Sequence, residues 1–175
     1  MIEKVYIEYL VLESRNNESY LYELIKIIQP KVLKFARSMI SNLGLAEDAT
    51  QDSLISIVKG LSKLKDPRRF HAWIYQITLN KCNDIFRKSK DKLNVNILDI
   101  DEVEELSNAT SKLDLEIDMI KLIQQLSKVE QIVIHLFYYE GFTVVEMADI
   151  LTKPAGTIKS LLFNAREKIK QTYGE

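Results

Sequence analysis

Residues 142–171, FTVVEMADILTKPAGTIKSLLFNAREKIKQ, decide the fold. Thr143 followed three positions later by Glu146 is a capping box, in which hydroxyl and carboxylate each satisfy a backbone N–H that the first helical turn leaves open. The box opens a short helix to Leu151. Thr152-Lys153-Pro154 then predicts a tight turn, with Pro154 poised at the start of a longer helix from about Ala155 to Gln171. Ile158, Leu162, Ala165 and Ile169 recur at helical spacing and form its buried stripe. A short helix, a tight turn and a longer helix make a helix-turn-helix.

Working outward, the same box recurs as Ser127 and Glu130 and opens a helix that Gly141 stops. A further helix is expected from about Leu113 to Leu126. Toward the N-terminus, Leu21, Ile25, Ile28, Val32, Phe35 and Met39 form one face of a long helix, with Pro30 inside it and Asn42 and Gly44 ending it. The next helix begins near Leu45, buries Thr50, Leu54, Ile57 and Leu61, and runs out at Asp66-Pro67. A third spans Phe70 to about Lys88, its apolar arc made of Phe70, Ile74, Ile77, Cys82, Ile85 and Phe86. With a short helix before Asn16 these form one bundle. The fold class is all-α: an N-terminal helical bundle, residues 1–90, and a C-terminal four-helix helix-turn-helix domain, residues 113–175. Residues 91–112 form an acidic flexible linker, poor in helical periodicity.

Helix formers dominate the 175 residues, while glycine and proline are scarce. The net charge of −1 conceals a strong asymmetry. Asp99, Asp101, Glu102, Glu104, Glu105, Asp114, Glu116 and Asp118 stand against Lys112 alone, so both flanking segments are net basic. One cysteine, Cys82, excludes an internal disulfide, and His71 and His135 add no zinc-ligand spacing. No cofactor, metal site or small-molecule substrate is expected: the chain has no nucleophile with a base and no phosphate-binding glycine loop. It is expected to be cytoplasmic, because it carries neither a leader pattern nor a run long enough to cross a bilayer.

Two helix surfaces carry chemistry. On the third helix Trp73, Gln76, Asn80, Asn83 and Arg87 form a row opposite the apolar arc. An aromatic platform gains about 1–3 kcal/mol per stacked base, and neighbouring amides can discriminate base edges. Arg68, Arg69, Arg87, Lys88 and Lys90 bracket that helix and can neutralise a phosphate backbone. On these residues alone Trp73 is either a platform for an unpaired strand or a cap on the bundle margin. On the last helix Thr157, Lys159, Ser160, Phe163, Asn164 and Arg166 lie off the buried stripe, where a major groove would receive them. Asp48, Gln51, Asp52 and Ile55 share an outward face of the second helix and look like a docking patch. The two acids have no further ligand nearby to make a metal site.

The order of AEDATQDSLISIVKGL (46–61), FHAWIYQITLNKCNDIFRK (70–88), an acidic stretch, and LSKVEQIVIHLFYYEGFTVVEMADILTKPAGTIKSLLFNAREKIK (126–170) resembles extracytoplasmic-function sigma factors of the sigma-70 family. The resemblance implies an alternative sigma factor. It would bind core RNA polymerase through its beta and beta-prime subunits, direct initiation at promoter DNA, and answer to an anti-sigma factor. Asp48, Gln51 and Asp52 match the clamp-docking face, Trp73 through Arg87 the helix that holds the non-template strand of the minus-ten element, and Lys65, Asp66, Arg68 and Arg69 the loop that captures an unstacked base. The last helix matches the reader of the minus-thirty-five duplex, with a departure: Leu161 and Asn164 stand where the family commonly has arginines. Two alternatives remain open on sequence: a helix-turn-helix regulator acting without core polymerase, and a sigma-like protein that keeps its partners but not promoter activity.

Overall fold

The computed structural model describes residues 2–92, 123 and 125–173. The chain divides into two compact units, Met1–Val95 and Asn96–Glu175. Every regular element among the described residues is helical. The expected linker from residue 93 onward, and residues 113–122 of the expected helix at 113–126, lie outside them.

The N-terminal unit contains α1 (Ile2–Glu13), α2 (Glu18–Met39), α3 (Leu43–Gly60) and α4 (Phe70–Lys92), with two single 3-10 turns, Leu61–Lys63 and Pro67–Arg69, joining the last pair. Asn17 caps α2 by accepting from the Ser19 amide at 2.9 Å, and Asn42 caps α3 by accepting from the Leu45 amide at 3.0 Å. Asn42 therefore opens a helix instead of closing one, and Gly44 lies inside the first turn of α3. The side chain explains the difference, because asparagine is as good an N-cap as it is a terminator.

The core of this unit joins Ile7, Leu10 and Val11 of α1 to Leu24, Ile28, Val32, Phe35, Ala36 and Met39 of α2. Leu21 and Ile25, expected inside, are half-buried. What α3 contributes is small: Ala46, Ala49, Thr50, Ser53 and Ile57 are buried and Leu54 is half-buried. Small side chains let neighbouring backbones approach closely. The hydroxyls in this stripe survive burial because each bonds its own helix: Thr50 donates to the Ala46 carbonyl at 2.7 Å and Ser53 to that of Ala49 at 2.6 Å. Thr78 of α4 does the same to Ile74 at 2.8 Å.

On α4 the buried set is Phe70, Ile74, Tyr75, Thr78, Leu79 and Cys82. Phe86, expected on the apolar arc, is 42% exposed, and Ile77 and Ile85 are half-buried. A helical wheel gives angle but not axial position. The end of a long helix can run past its neighbours, and Asn83, Phe86, Arg87 and Lys88 are all exposed there.

The C-terminal unit contains α5 (Lys128–Ile134), prolonged by a π-turn at His135–Tyr139, then α6 (Val144–Leu151) and α7 (Ala155–Tyr173). Both predicted capping boxes form. Gly141 follows the π-turn at φ 70, in the left-handed region glycine enters freely, and Thr152 takes φ 52 at the end of α6. Leu136, Phe142, Met147, Ile150, Ile158, Leu162 and Ala165 are buried, while Ile169 is half-buried.

Glu130 ties this unit together. Its carboxylate, with the residue 4% exposed, accepts from the Ser127 amide at 2.9 Å, the Ser127 hydroxyl at 2.7 Å and Lys168 of α7 at 2.8 Å. The bond from Lys168 is the main cause holding its pKa below the usual carboxylate value, against the opposing effect of burial, with the Ser127 donors assisting. A lowered folded-state pKa means the contribution is present above the ordinary carboxylate range and is lost as pH falls through the lowered value. Glu130→Gln is therefore expected to destabilise this unit by about 1–3 kcal/mol at neutral pH. The deficit relative to the parent shrinks between about pH 7 and about pH 3, as read by denaturant unfolding at both.

Candidate nucleic-acid interface

On α3 the buried residues Ala46, Ala49, Ser53 and Ile57 leave the opposite side to Asp48, Gln51, Asp52 and Ile55, all exposed. Ile55 is 51% exposed, an apolar side chain beside the carboxylates of Asp48 and Asp52. Glu47 is occupied otherwise, accepting from Arg37 of α2 at 3.2 Å. The four residues lie at steps of three and four, so one partner surface can meet them together.

The turn between α3 and α4 is built around Asp66. Its carboxylate accepts from the Arg68 amide at 3.1 Å and from the Arg68 guanidinium through Nε at 3.0 Å and Nη2 at 3.1 Å. These bonds, the guanidinium's first, hold the Asp66 carboxyl below its usual value. Arg68 is thus committed to the turn, where Lys63, Lys65 and Arg69 are also exposed. Arg15, following α1, donates to the Leu64 carbonyl and braces the turn from outside.

Trp73 begins the row on α4. It is half-buried, its ring 6.1 Å from that of Phe70 and tilted at 48°. Gln76 is half-buried, and Asn80, Asn83, Arg87 and Lys88 are exposed. Arg87 donates to Asp84 at 3.0 Å, a surface pair that an incoming phosphate can outcompete. Beneath the row Tyr75 is 1% exposed and meets Phe35 edge-on, ring centres 5.0 Å apart. With Phe70, Ile74, Thr78, Leu79 and Cys82 also buried, this side of α4 faces the core and leaves the row outward.

In the C-terminal unit Thr157, Lys159, Ser160, Phe163, Asn164 and Arg166 are all exposed on α7. Phe163 is 62% exposed. Arg166 is restrained: its Nε donates to the Tyr138 hydroxyl at 2.9 Å, and its guanidinium lies 5.2 Å from the Phe137 ring centre and 5.6 Å from that of Tyr138. Ser160 donates to the Gly156 carbonyl at 3.1 Å, as a helical serine commonly does. Leu161 is half-buried between the exposed row and the core.

Sequence reasoning missed Tyr138, whose part in orienting Arg166 is a contact across 28 positions, and Gly60, which meets the Trp73 ring. Nothing local in the sequence signals either. Among the described residues no cluster of histidine, cysteine or carboxylates is placed to hold a metal, and no helix is long and apolar enough to cross a membrane. Cys82 is buried, and burial pushes its thiol up to about 12.

Two family models match the chain, one in each of its two units. Sigma-70 region 2 matches residues 24–92 and Sigma-70 region 4 matches residues 117–169. Among relatives, the ECF RNA polymerase sigma factor SigW of Bacillus subtilis is 24% identical over 161 residues, covering 85% of this chain and 86% of its own. The RNA polymerase sigma-H factor of Pseudomonas aeruginosa is 23% identical, covering 81% and 79% respectively. Among solved structures, that of CnrH in complex with the cytosolic domain of CnrY superposes with a TM-score of 0.68 at 20% identity, over 96% of this chain and 97% of that one. The sigma factor RpoE in complex with the anti-sigma factor NepR, from Bartonella quintana, gives 0.66 at 24% identity, over 86% and 94%. The architecture is that of a two-region sigma protein. The chain belongs to the sigma-70 family, as an alternative sigma factor of the extracytoplasmic-function type.

Leu161→Arg adds a cation to the stretch of α7 between Lys159 and Arg166, which has none. It is expected to raise affinity for minus-thirty-five duplex and to steepen the logarithmic salt dependence by roughly one unit, measured by titration of holoenzyme at several salt concentrations. Unchanged affinity and slope contradict the placement of this helix in the groove.

Proposed function

We propose that the two units divide promoter recognition between them. Asp48, Gln51, Asp52 and Ile55 dock the N-terminal unit on the clamp of core polymerase. Trp73, with Gln76, Asn80 and Asn83, then receives unpaired bases of the non-template minus-ten strand, while Lys65, Arg69, Arg87 and Lys88 hold its backbone. The C-terminal unit reads the minus-thirty-five duplex through Thr157, Lys159, Ser160, Phe163, Asn164 and Arg166. The protein works in the cytoplasm, as an initiation factor and not as an enzyme. An anti-sigma factor restrains it, by analogy with the RpoE–NepR complex.

The observation that carries this reading is the partial exposure of Trp73 at the head of an outward amide row. A core tryptophan would be enclosed, and an indole on an open surface would gain nothing from pre-organisation. A half-buried ring does both jobs: one part is anchored by its own fold, and the remainder is free to stack. The acidic face of α3 lies on the other helix of the packed α3–α4 pair, so polymerase and strand need not compete for one surface.

The reading is tested by transcription in vitro with purified core polymerase and a promoter selected from random DNA. Initiation is expected only when chain and core are combined. Trp73→Ala should lower open-complex formation by roughly 5- to 100-fold, the worth of one stacked base, without weakening core binding. Reversing the charge of Asp48 and Asp52 together should weaken core binding first. Failure of the chain to support core-dependent initiation at any selected promoter overturns the assignment and favours a regulator acting on duplex alone.

A further inference from the structure

Gly60 ends α3 with φ −92 and ψ −13, a right-handed conformation open to any residue. Its backbone therefore does not require glycine. Its surroundings do: a Cβ placed there would lie 2.8 Å from Cζ2 and 3.0 Å from Cη2 of Trp73. No other described glycine meets such an obstruction. The six-membered edge of the indole occupies the space a side chain at position 60 would fill, and Phe70 lies on α4 one turn before it.

We propose that Gly60 is a positioning residue for promoter opening. By having no side chain it admits the indole against the end of α3 and fixes the direction in which the exposed part of the ring points. The inference rests on the reading of Trp73 as the base platform. A tryptophan on a helix surface has several rotamers, and stacking on a base requires one of them. Selecting that rotamer before DNA arrives removes an ordering cost from the binding step. Any Cβ at position 60 forces the ring edge to move, since it is the far end of a side chain that yields more easily than backbone.

Trp73 is the single tryptophan of the chain, so its emission reports its own surroundings. The experiment compares the parent, G60A, W73A, W73F and the double variant G60A/W73F. Free full-length chains are examined by emission and acrylamide quenching. Holoenzymes are examined by binding to a forked promoter probe with a single-stranded non-template arm. G60A is expected to keep its helicity and core affinity, to shift its emission and quenching, and to bind the fork roughly 5- to 10-fold more weakly. Phenylalanine lacks the clashing edge, so G60A/W73F should bind as W73F does.

Unchanged emission or unchanged fork binding in G60A, alongside weakened binding by W73A, overturns the role of Gly60 and leaves that of Trp73 standing. Unimpaired fork binding by W73A overturns both. Should G60A not fold, the double variant decides: folding with W73F-like binding supports the steric account, and failure to fold shows that Gly60 serves something other than the indole.

Discussion

The close packing of α3 on α4 is the constraint from which the N-terminal unit's surfaces follow. Ala46, Ala49, Thr50 and Ser53, with Ile57 the one large side chain among the fully buried, line the inner side of α3, and at its end, Gly60, the Trp73 ring edge replaces a side chain. Burial of apolar area holds the pair together at roughly 25 cal/mol per Å², yet small residues decide how near the axes come. With α3 and α4 so joined, the acids on one and the amide row on the other are held in a fixed relation. The proposed simultaneous grip on polymerase and an opened strand would need that rigidity more than extra stability.

The charge distribution supports the same division of labour. Basic side chains cluster around the α3–α4 turn and the end of α4, and the acids of the chain concentrate between Asp99 and Asp118. Some cations are already committed: Arg68 to Asp66, Arg87 to Asp84, Arg166 to Tyr138. Exposed pairs of this kind are worth at most about 1 kcal/mol, so they orient a cation without withholding it from a phosphate. The bidentate Arg68–Asp66 pair, reinforced by the backbone bond, serves chiefly to shape the turn.

Much of the fold was legible because its signals are local. Ser127 with Glu130 and Thr143 with Glu146 announce helix starts within four residues, and the Thr152-Lys153-Pro154 turn separates α6 from α7 where the sequence says it should. Asn42 was misread because its side chain serves at either end of a helix. Phe86 was misplaced because periodicity cannot tell where along its axis a helix leaves the core. Ser53 and Thr78 are core residues that periodicity of apolar types does not show, because a hydroxyl reads as polar until its internal acceptor is known. The candidate docking and groove residues were legible as outward faces, whereas the contacts that orient them, Gly60 to Trp73 and Tyr138 to Arg166, join positions far apart in the chain.

The central claim is that the Trp73 ring meets an unpaired base. The most direct measurement places a photoreactive aromatic amino acid at position 73 and illuminates the open promoter complex. The account predicts a crosslink to the non-template strand inside the melted region, absent from the closed duplex. Crosslinks confined to protein, with the DNA unmarked in a complex shown to be open, would contradict it.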